Sequence, residues 1–195
     1  MHLIGLTGGL ATGKTHVGRM LEKMGCRLIQ ADQLGHRALA PAGAAYHPVI
    51  EKFGQGILDE NELIDRKALA ALVFNHPEKL AELNAIVHPA VHRLQDEIVA
   101  NSVESIVIVE AAIHIETGGY KRFEKLILVV CSMEEQIRRA MKRDHSSREE
   151  VLSRIDRQMP LEDKRKFADY VIDTTGDEAR TWDQTVEVYN QIKKL

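Results

Sequence analysis

Cysteine and aromatic residues are scarce in this chain of 195 residues, which has two cysteines and only 5% aromatic residues. Cys26 and Cys131 each lie within or beside an apolar run, which excludes a disulfide-stabilised scaffold and favours a reducing compartment. No apolar run approaches the length of a bilayer span, and no basic segment followed by an apolar stretch opens the chain. We therefore expect a soluble cytoplasmic protein without a membrane partner.

A large excess of charge of either sign is also missing. The formal net charge of −3 gives no global attraction to nucleic acid, and few aromatic side chains are present for stacking on bases. We therefore expect no nucleic-acid partner. Any site for an anion has to be built from local groups, and the sequence leaves the oligomeric state open.

Short apolar runs without polar alternation recur along the chain: HLIGL, CRLIQ, SIVIVEA, KLILVVC and DYVID. Runs of this kind suit strands that are buried on both faces, and helix-like segments separate them. The pattern predicts a five-stranded parallel sheet inside a three-layer α/β/α fold.

The helix-like segments predict how the chain is divided. We expect one domain with a core at about 1–60, 101–139 and 166–195, and a helical insertion at about 61–100. A charged helical segment at about 140–165 is expected to be partly exposed, and the serines in DHSSRE indicate the start of a helix there.

The stretch LTGGLATGKTHV contains the pattern G-x-x-x-x-G-K-[ST], from Gly8 to Thr15, after an apolar strand and before a helix-like segment. In such a phosphate-binding loop the backbone N–H groups and the helix N-terminus face the phosphates of a nucleoside triphosphate. Lys14 can reach the β- and γ-phosphates, and the Thr15 hydroxyl can bind Mg²⁺. The loop predicts a bound nucleoside triphosphate but does not identify the reaction.

A missing motif and two acidic residues narrow the class of protein that this chain can belong to. The tetrapeptide N-K-x-D that reads guanine in GTPases is missing, so a small-molecule kinase or an ATPase module remains. Asp32 follows the second strand and is either a carboxylate near the transferred phosphate or a helix N-cap. Glu110 ends the third strand and is either an acidic group near the metal or a hydrogen-bonded strand end.

Two further pairs of residues are candidates for binding. Arg139 and Arg143 are four residues apart and share a helix face, where they either clamp phosphates or belong to a solvated charged helix. His88 and His92 are also four residues apart and could bind a metal from one helix face, but the sequence offers no third ligand. Because Pro89 after His88 suits the first turn of a helix, we interpret His88 as a helix boundary or a ligand contact.

Over nearly its whole length the sequence resembles the dephospho-coenzyme A kinases. The resemblance rests on several motifs in the family's order: LTGGLATGKT, QADQLGHR, FGQGILDENELIDRKALAALVF, LNAIVHPAV, EEQIRRAMKRD, RIDRQMP and ADYVIDTTG. It implies a P-loop kinase fold with a helical substrate-binding insertion and a lid, and ATP-dependent phosphorylation of the 3′-hydroxyl of dephospho-coenzyme A.

The resemblance also implies site residues. Those expected to bind ATP are Gly8, Gly9, Ala11, Thr12, Gly13, Lys14, Thr15, His16 and Gly176, with Thr15 on Mg²⁺. Those expected to bind the acceptor, to which we add Glu110, are Asp32, Leu63, Ile64, Asp65, Arg66, His88 and Pro89. Those expected to act in catalysis are Asp32 as the carboxylate at the acceptor hydroxyl, Lys14, and the lid arginines Arg139 and Arg143.

One stretch departs from the family pattern. The segment EAAIHIE, from Glu110 to Glu116, keeps both acidic ends where the family has D-x-P-L-L-F-E but lacks the proline and the aromatic residue. The shape near the acceptor can therefore differ. A kinase for another small metabolite or nucleoside, and an ATPase module that depends on a partner, stay open as alternatives.

Overall fold

The computed structural model describes residues 1–74 and 76–195, and its centre is a five-stranded parallel β-sheet. The strands are β1 (His2–Gly8), β2 (Arg27–Gln30), β3 (Ile106–Glu110), β4 (Lys125–Val130) and β5 (Tyr170–Asp173). Each strand coincides with one of the five apolar runs, so the predicted sheet is confirmed. The order across the sheet is β2-β3-β1-β4-β5, which puts β1 in the middle.

The register of the central strands brings polar groups to one edge of the sheet. Leu6 of β1 pairs with Glu110 of β3, and Gly8 pairs with Val129 of β4. Parallel strands end at the same edge, where open α/β folds bind their ligands. The loop after β1, Glu110 and the loop after β5 therefore lie at the same edge.

Helices connect and cover the strands. They are α1 (Lys14–Lys23), α2 (Ala31–Ala38), α3 (Tyr46–Phe53), α4 (Arg66–Val73), α5 (Pro77–Ala100), α6 (Met133–Asp144), α7 (Arg148–Ile155), α8 (Leu161–Arg165) and α9 (Glu178–Ile192). Short 3₁₀ turns lie at Gln55–Ile57 and Gly119–Arg122. On one face of the sheet, α1 and α9 pack together over side chains such as Ile4 and Ile127, which are completely buried. Strand residues at the intervening positions, such as Val107 and Leu128, are also fully buried. The apolar runs without polar alternation predicted that both faces of the strands are buried.

The chain divides into two compact units. The first comprises Met1–Ile29 and Ser102–Leu195 and contains most of the sheet. The second comprises Gln30–Asn101. It has its own apolar core, formed by residues of α2, α3, α4 and α5, in which Val49 is fully buried and Ala90 almost fully buried. The predicted insertion at about 61–100 lies inside this second unit, which begins earlier, at Gln30.

The predicted lid segment consists of the end of α6 followed by α7 and α8. Ser147 is the N-cap of α7 and forms a capping box with Glu150, in which each side chain accepts from the other residue's backbone N–H. The helix start indicated by the serines is confirmed. Val151 of α7 packs with Ile137 and Ala140 of α6 in a small apolar cluster that also includes Leu10 of the phosphate-binding loop.

The helix boundary predicted at His88 and Pro89 is wrong. Pro89 lies inside α5, which continues from Pro77 to Ala100. A proline inside a helix removes one backbone hydrogen bond and crowds the preceding turn. Here apolar residues of this long helix, such as Ile86 and Ala90, pack in the core of the second unit, and that packing offsets the local loss. Within residues 1–74 and 76–195, no helix is both long and apolar enough to cross a membrane.

Candidate active site

The phosphate-binding loop leaves β1 at Gly8 and enters α1 at Lys14, as the motif predicted. Its backbone requires small residues. Gly13 has φ +91° and Ala11 has φ 53°, both in the left-handed region. A Cβ on Gly8 would lie 2.4 Å from the Val129 carbonyl oxygen, so no larger residue fits there. The loop is thus shaped by close backbone approaches.

Polar side chains of the loop bond to its own backbone. The ammonium group of Lys14 donates to the carbonyl oxygen of Gly9 at 2.7 Å, and the Thr12 hydroxyl donates to the same oxygen at 3.1 Å. These bonds hold the loop in a closed turn, with Lys14 folded back across it. The lysine therefore lies over the loop, where the motif places the phosphates.

Thr15 and Glu110 come together at the carboxyl edge of the sheet. The Thr15 hydroxyl donates to the Glu110 carboxylate at 2.7 Å, and Glu110 is 8% exposed. A hydroxyl and a carboxylate supply the hard oxygen atoms that Mg²⁺ prefers, and this ion normally takes few protein ligands besides phosphates and water. The residues present fit a magnesium ion.

Arg139 of α6 is fixed beside the phosphate-binding loop. Its guanidinium donates to the Thr174 hydroxyl at 2.8 Å, to the Thr174 carbonyl oxygen at 2.6 Å and to the Glu135 carboxylate at 2.8 Å. A Cβ on Gly13 would lie 3.7 Å from one guanidinium nitrogen of Arg139. The hydrogen bond from Arg138, together with the charge of Arg139, lowers the pKa of Glu135 to about 2.

Arg143 lies one turn further along α6 and has a different environment. Its guanidinium makes a bidentate pair with Asp144, at 2.7 and 2.9 Å, and Arg154 of α7 donates to the same carboxylate at 2.6 Å. The two arginines hold the pKa of Asp144 well below its usual range. Arg143 therefore belongs to a surface network that joins α6 to α7.

Sequence reasoning missed two glutamines that contact the loop. Leu10 donates its backbone N–H to the side-chain oxygen of Gln158 at 2.9 Å. The side-chain oxygen of the buried Gln136 would lie 2.9 Å from a Cβ on Gly9. Gln158 follows α7 within the RIDRQMP motif, which singled out this stretch without indicating what the glutamine does.

Sequence reasoning also missed a buried ion pair at the end of the EAAIHIE segment. The side chain of Lys164 in α8 is completely buried, and its ammonium group lies 2.7 Å from the Glu116 carboxylate and donates to the Ala112 carbonyl oxygen at 2.7 Å. Thr7 of β1 donates to the same carbonyl oxygen at 3.3 Å. Glu116, the retained acidic end of the variant segment, thus binds α8, the last helix of the predicted lid segment.

In the second unit, Asp32 occupies the first turn of α2. The N-cap is Gln30, so the N-cap interpretation of Asp32 is wrong, and the Asp32 side chain is exposed. A carboxylate in the first turn of a helix is favoured by the helix dipole without being used as a cap. The Asp32 carboxylate is therefore accessible to a ligand.

The remaining acceptor candidates lie in the same unit. Asp65 is the N-cap of α4 and accepts from the backbone N–H groups of Lys67 and Ala68, so the structure gives this carboxylate a local role. His88 is partly buried in α5, and this burial lowers its pKa. The others are Leu63, which is exposed, Ile64, which pairs with Leu58 in an isolated bridge, Arg66, which begins α4, and Pro89, inside α5.

Two candidate ATP-binding residues lie at the rim of the first unit. His16 is exposed in α1, and its ring lies 3.6 Å from the carboxylate of Glu178. Gly176 is exposed in the loop between β5 and α9. Neither position has a buried contact that fixes a role.

A phosphate-binding loop at the central strand of a parallel sheet, with Lys14, a buried acidic partner of Thr15 and an arginine beside it, defines a P-loop kinase fold. The sequence model of the family described as Dephospho-CoA kinase matches residues 2–179. This chain belongs to the dephospho-CoA kinase family.

Individual relatives match this chain along nearly its full length. A protein of Aquifex aeolicus named Dephospho-CoA kinase is 40% identical over 195 residues, which is 100% of this chain and 99% of that protein. The crystal structure of TT1252 from Thermus thermophilus has a TM-score of 0.89 and 34% identity, covering 97% of this chain and 96% of the other. A dephospho-CoA kinase structure from Campylobacter jejuni has a TM-score of 0.71 and 28% identity, covering 98% and 97%.

Proposed function

We propose that this protein transfers the γ-phosphoryl group of ATP to the ribose 3′-hydroxyl of dephospho-CoA, giving CoA and ADP as the final step of CoA biosynthesis. The observation that carries the proposal is the Thr15–Glu110 pair beside Lys14 at the carboxyl edge of the sheet, in a chain that matches the family over residues 2–179. A cytoplasmic location and the absence of nucleic-acid and membrane partners remain predictions from composition.

The nucleotide binds at the phosphate-binding loop. Its backbone N–H groups and the N-terminus of α1 face the phosphates, and Lys14 exchanges the Gly9 carbonyl for a phosphate oxygen. Thr15 and Glu110 would hold Mg²⁺, which neutralises charge on the β- and γ-phosphates when it is bound. Among the neighbouring candidates, His16 and Gly176 border the nucleotide.

Asp32 acts at the acceptor hydroxyl. Its exposed carboxylate orients the ribose hydroxyl and accepts its proton as the oxygen attacks the γ-phosphorus in line with the leaving ADP oxygen. The transfer is direct, so no covalent enzyme intermediate forms. The acceptor-binding residues that we propose in the second unit are Leu63, Ile64, Asp65, Arg66, His88 and Pro89. Glu110 is the acceptor candidate of the first unit.

The arginines of α6 stabilise charge on the transferred group. Arg139 is held beside Gly13 by Thr174 and Glu135, so a guanidinium stands ready near the phosphates before the nucleotide arrives. Arg143 contributes after it exchanges Asp144 for a phosphate oxygen. Arg143 lies in the segment at about 140–165 that we propose acts as a lid, and Arg139 lies directly before that segment.

The first experiment measures ADP release from ATP and Mg²⁺ with and without dephospho-CoA, together with the mass of the acceptor. The expected result is ADP release that depends on the acceptor and a product heavier by one phosphate. If a different metabolite is phosphorylated and dephospho-CoA is not, the proposed acceptor is wrong and the protein is a kinase for that metabolite. ADP release without a phosphorylated product would overturn the proposal in favour of a partner-dependent ATPase.

A variant tests the role of Asp32 in the same assay. Asp32→Asn should lower kcat about 10²- to 10⁴-fold, because it removes the proton acceptor, while both substrates still bind. Asp183→Asn, at an exposed position of α9, is the matched control and should keep wild-type kcat. Near-normal turnover of Asp32→Asn with normal binding would remove Asp32 from the mechanism.

A further inference from the structure

Thr174 is the first residue after β5 and is almost completely buried, with 4% exposure. Its backbone N–H donates to the Val130 carbonyl oxygen at 2.9 Å, which continues the pairing of β5 with β4 by one residue. This bond fixes the Thr174 backbone at the carboxyl edge of the sheet. The hydroxyl therefore projects from a hydrogen-bonded strand end.

The hydroxyl of Thr174 joins two parts of the site. It donates to the Thr12 carbonyl oxygen at 2.7 Å and accepts from the Arg139 guanidinium at 2.8 Å. A guanidinium can only donate, so the single hydroxyl proton has to point to a carbonyl. The Val130 carbonyl, at 3.4 Å, is the more distant acceptor and already receives the Thr174 N–H. The direction of both bonds is therefore fixed.

The bond to Thr12 controls the peptide that enters Gly13. In a trans peptide the C=O and the N–H point in opposite directions. Because the Thr12 carbonyl is bonded to Thr174 on one side, the N–H of Gly13 is turned to the other side. The 3.4 Å between Thr174 Oγ1 and a Cβ built on Gly13 shows how closely the two residues approach.

We propose that Thr174 is a positioning residue for phosphoryl transfer. Its hydroxyl holds the Thr12–Gly13 peptide with the Gly13 N–H directed at the nucleotide phosphates, and the same oxygen helps the Thr174 carbonyl and Glu135 to hold Arg139 against the loop. One side chain thereby sets the relative position of a backbone donor and a charged donor. The inference rests on the proposed function, since it assigns these two donors to ATP.

Two substitutions at this position separate the hydroxyl from the rest of the side chain. Thr174→Val keeps the volume and removes both bonds, and it should lower kcat/KM for ATP about 10- to 100-fold, with kcat reduced as well. Thr174→Ser keeps the hydroxyl and should stay within about threefold of wild type. Thr185→Val is the control, because Thr185 is also fully buried and its hydroxyl donates to a carbonyl in α9.

A double-mutant cycle with Arg139→Ala tests the link to the arginine. The loss of kcat caused by Thr174→Val should be at least about threefold smaller in the Arg139→Ala background, since part of it acts through the guanidinium. Equal losses in both backgrounds would overturn that link. A Thr174→Val enzyme with wild-type kcat and KM would overturn the proposal, and so would a Thr174→Ser enzyme as impaired as Thr174→Val.

The wild-type enzyme distinguishes failure of this inference from failure of the proposed function. If wild type shows neither ATP binding nor a phosphorylated product, the proposed function fails before any variant is compared. If wild type is active and Thr174→Val equals Thr185→Val in kcat and KM, only the role of Thr174 is refuted.

Discussion

The buried ion pair of Lys164 and Glu116 allows a quantitative test of what anchors the lid segment. The Lys164 side chain is completely buried and bonds to Glu116 and to the Ala112 carbonyl, whereas the Glu116 side chain is 23% exposed. Glu116→Leu leaves an uncompensated buried ammonium and also removes the acceptor of the Met159 N–H. It should lower the free energy of unfolding by about 3–5 kcal/mol, which is the usual cost of breaking such a pair.

The partner substitution should be milder. Lys164→Met keeps the aliphatic stem, and the partly exposed Glu116 carboxylate can take up water, so we expect a loss of about 1–3 kcal/mol. The double variant Lys164→Met/Glu116→Leu should be more stable than Glu116→Leu alone, because no charge is left buried. This order follows from the unequal exposure of the two side chains.

The assay is urea unfolding at 25 °C followed by circular dichroism and by the fluorescence of Trp182, the single tryptophan. Glu116→Leu should also lower Tm by about 6–20 °C for a chain of this length. Lys52→Met is the control, because its ion pair with Glu82 is exposed and contributes less than about 1 kcal/mol. The reasoning is refuted if Glu116→Leu is no more destabilising than Lys52→Met, or if the double variant is the least stable of all.

Three further predictions concern single side chains. Arg138 lowers the pKa of Glu135 to about 2, so the stability from this carboxylate is present above its usual pKa and is lost as pH falls toward 2. Between pH 5 and pH 3, Tm should therefore fall more steeply for wild type than for Glu135→Gln, and parallel curves would contradict this. Ser147→Ala removes the cap of α7 and should reduce stability to urea by about 1 kcal/mol, whereas an unchanged midpoint would show that the capping box contributes nothing. Burial lowers the pKa of His88, so stability should decrease as pH falls below its usual 6.5, and His88→Gln should abolish this component of the Tm profile.

The sheet could be predicted from the sequence because its evidence is local. Runs such as SIVIVEA and KLILVVC are apolar at every position, and only a strand with both faces buried needs that pattern. The phosphate-binding loop was equally accessible, since its glycines follow from backbone geometry within one short stretch, as the crowding at Gly8 shows. Local constraints leave a mark in a single sequence.

Other features depend on partners distant in the chain. Lys164 lies in the charged stretch LEDKR, which reads as a solvated helix, but the structure buries it against Glu116. Pro89 suggested a helix start, yet packing along α5 outweighs the local preference. Asp32 suited an N-cap, but α2 begins at Ala31. A sequence pattern does not locate the end of a helix to within one or two residues.

The two arginines of α6 share a helix face, but this spacing did not predict their different environments. Spacing placed Arg139 and Arg143 together, but their partners differ: Thr174 and Glu135 fix Arg139 beside the loop, while Arg143 pairs with Asp144 on the surface with 57% of its side chain exposed. A donor that is already fixed where charge develops loses little further freedom when substrate binds. A donor that must first leave a carboxylate gives up that bond before it contributes. Under the proposed function, Arg139 is therefore the preorganised charge, and Arg143 acts only after the ligand has drawn it away from Asp144.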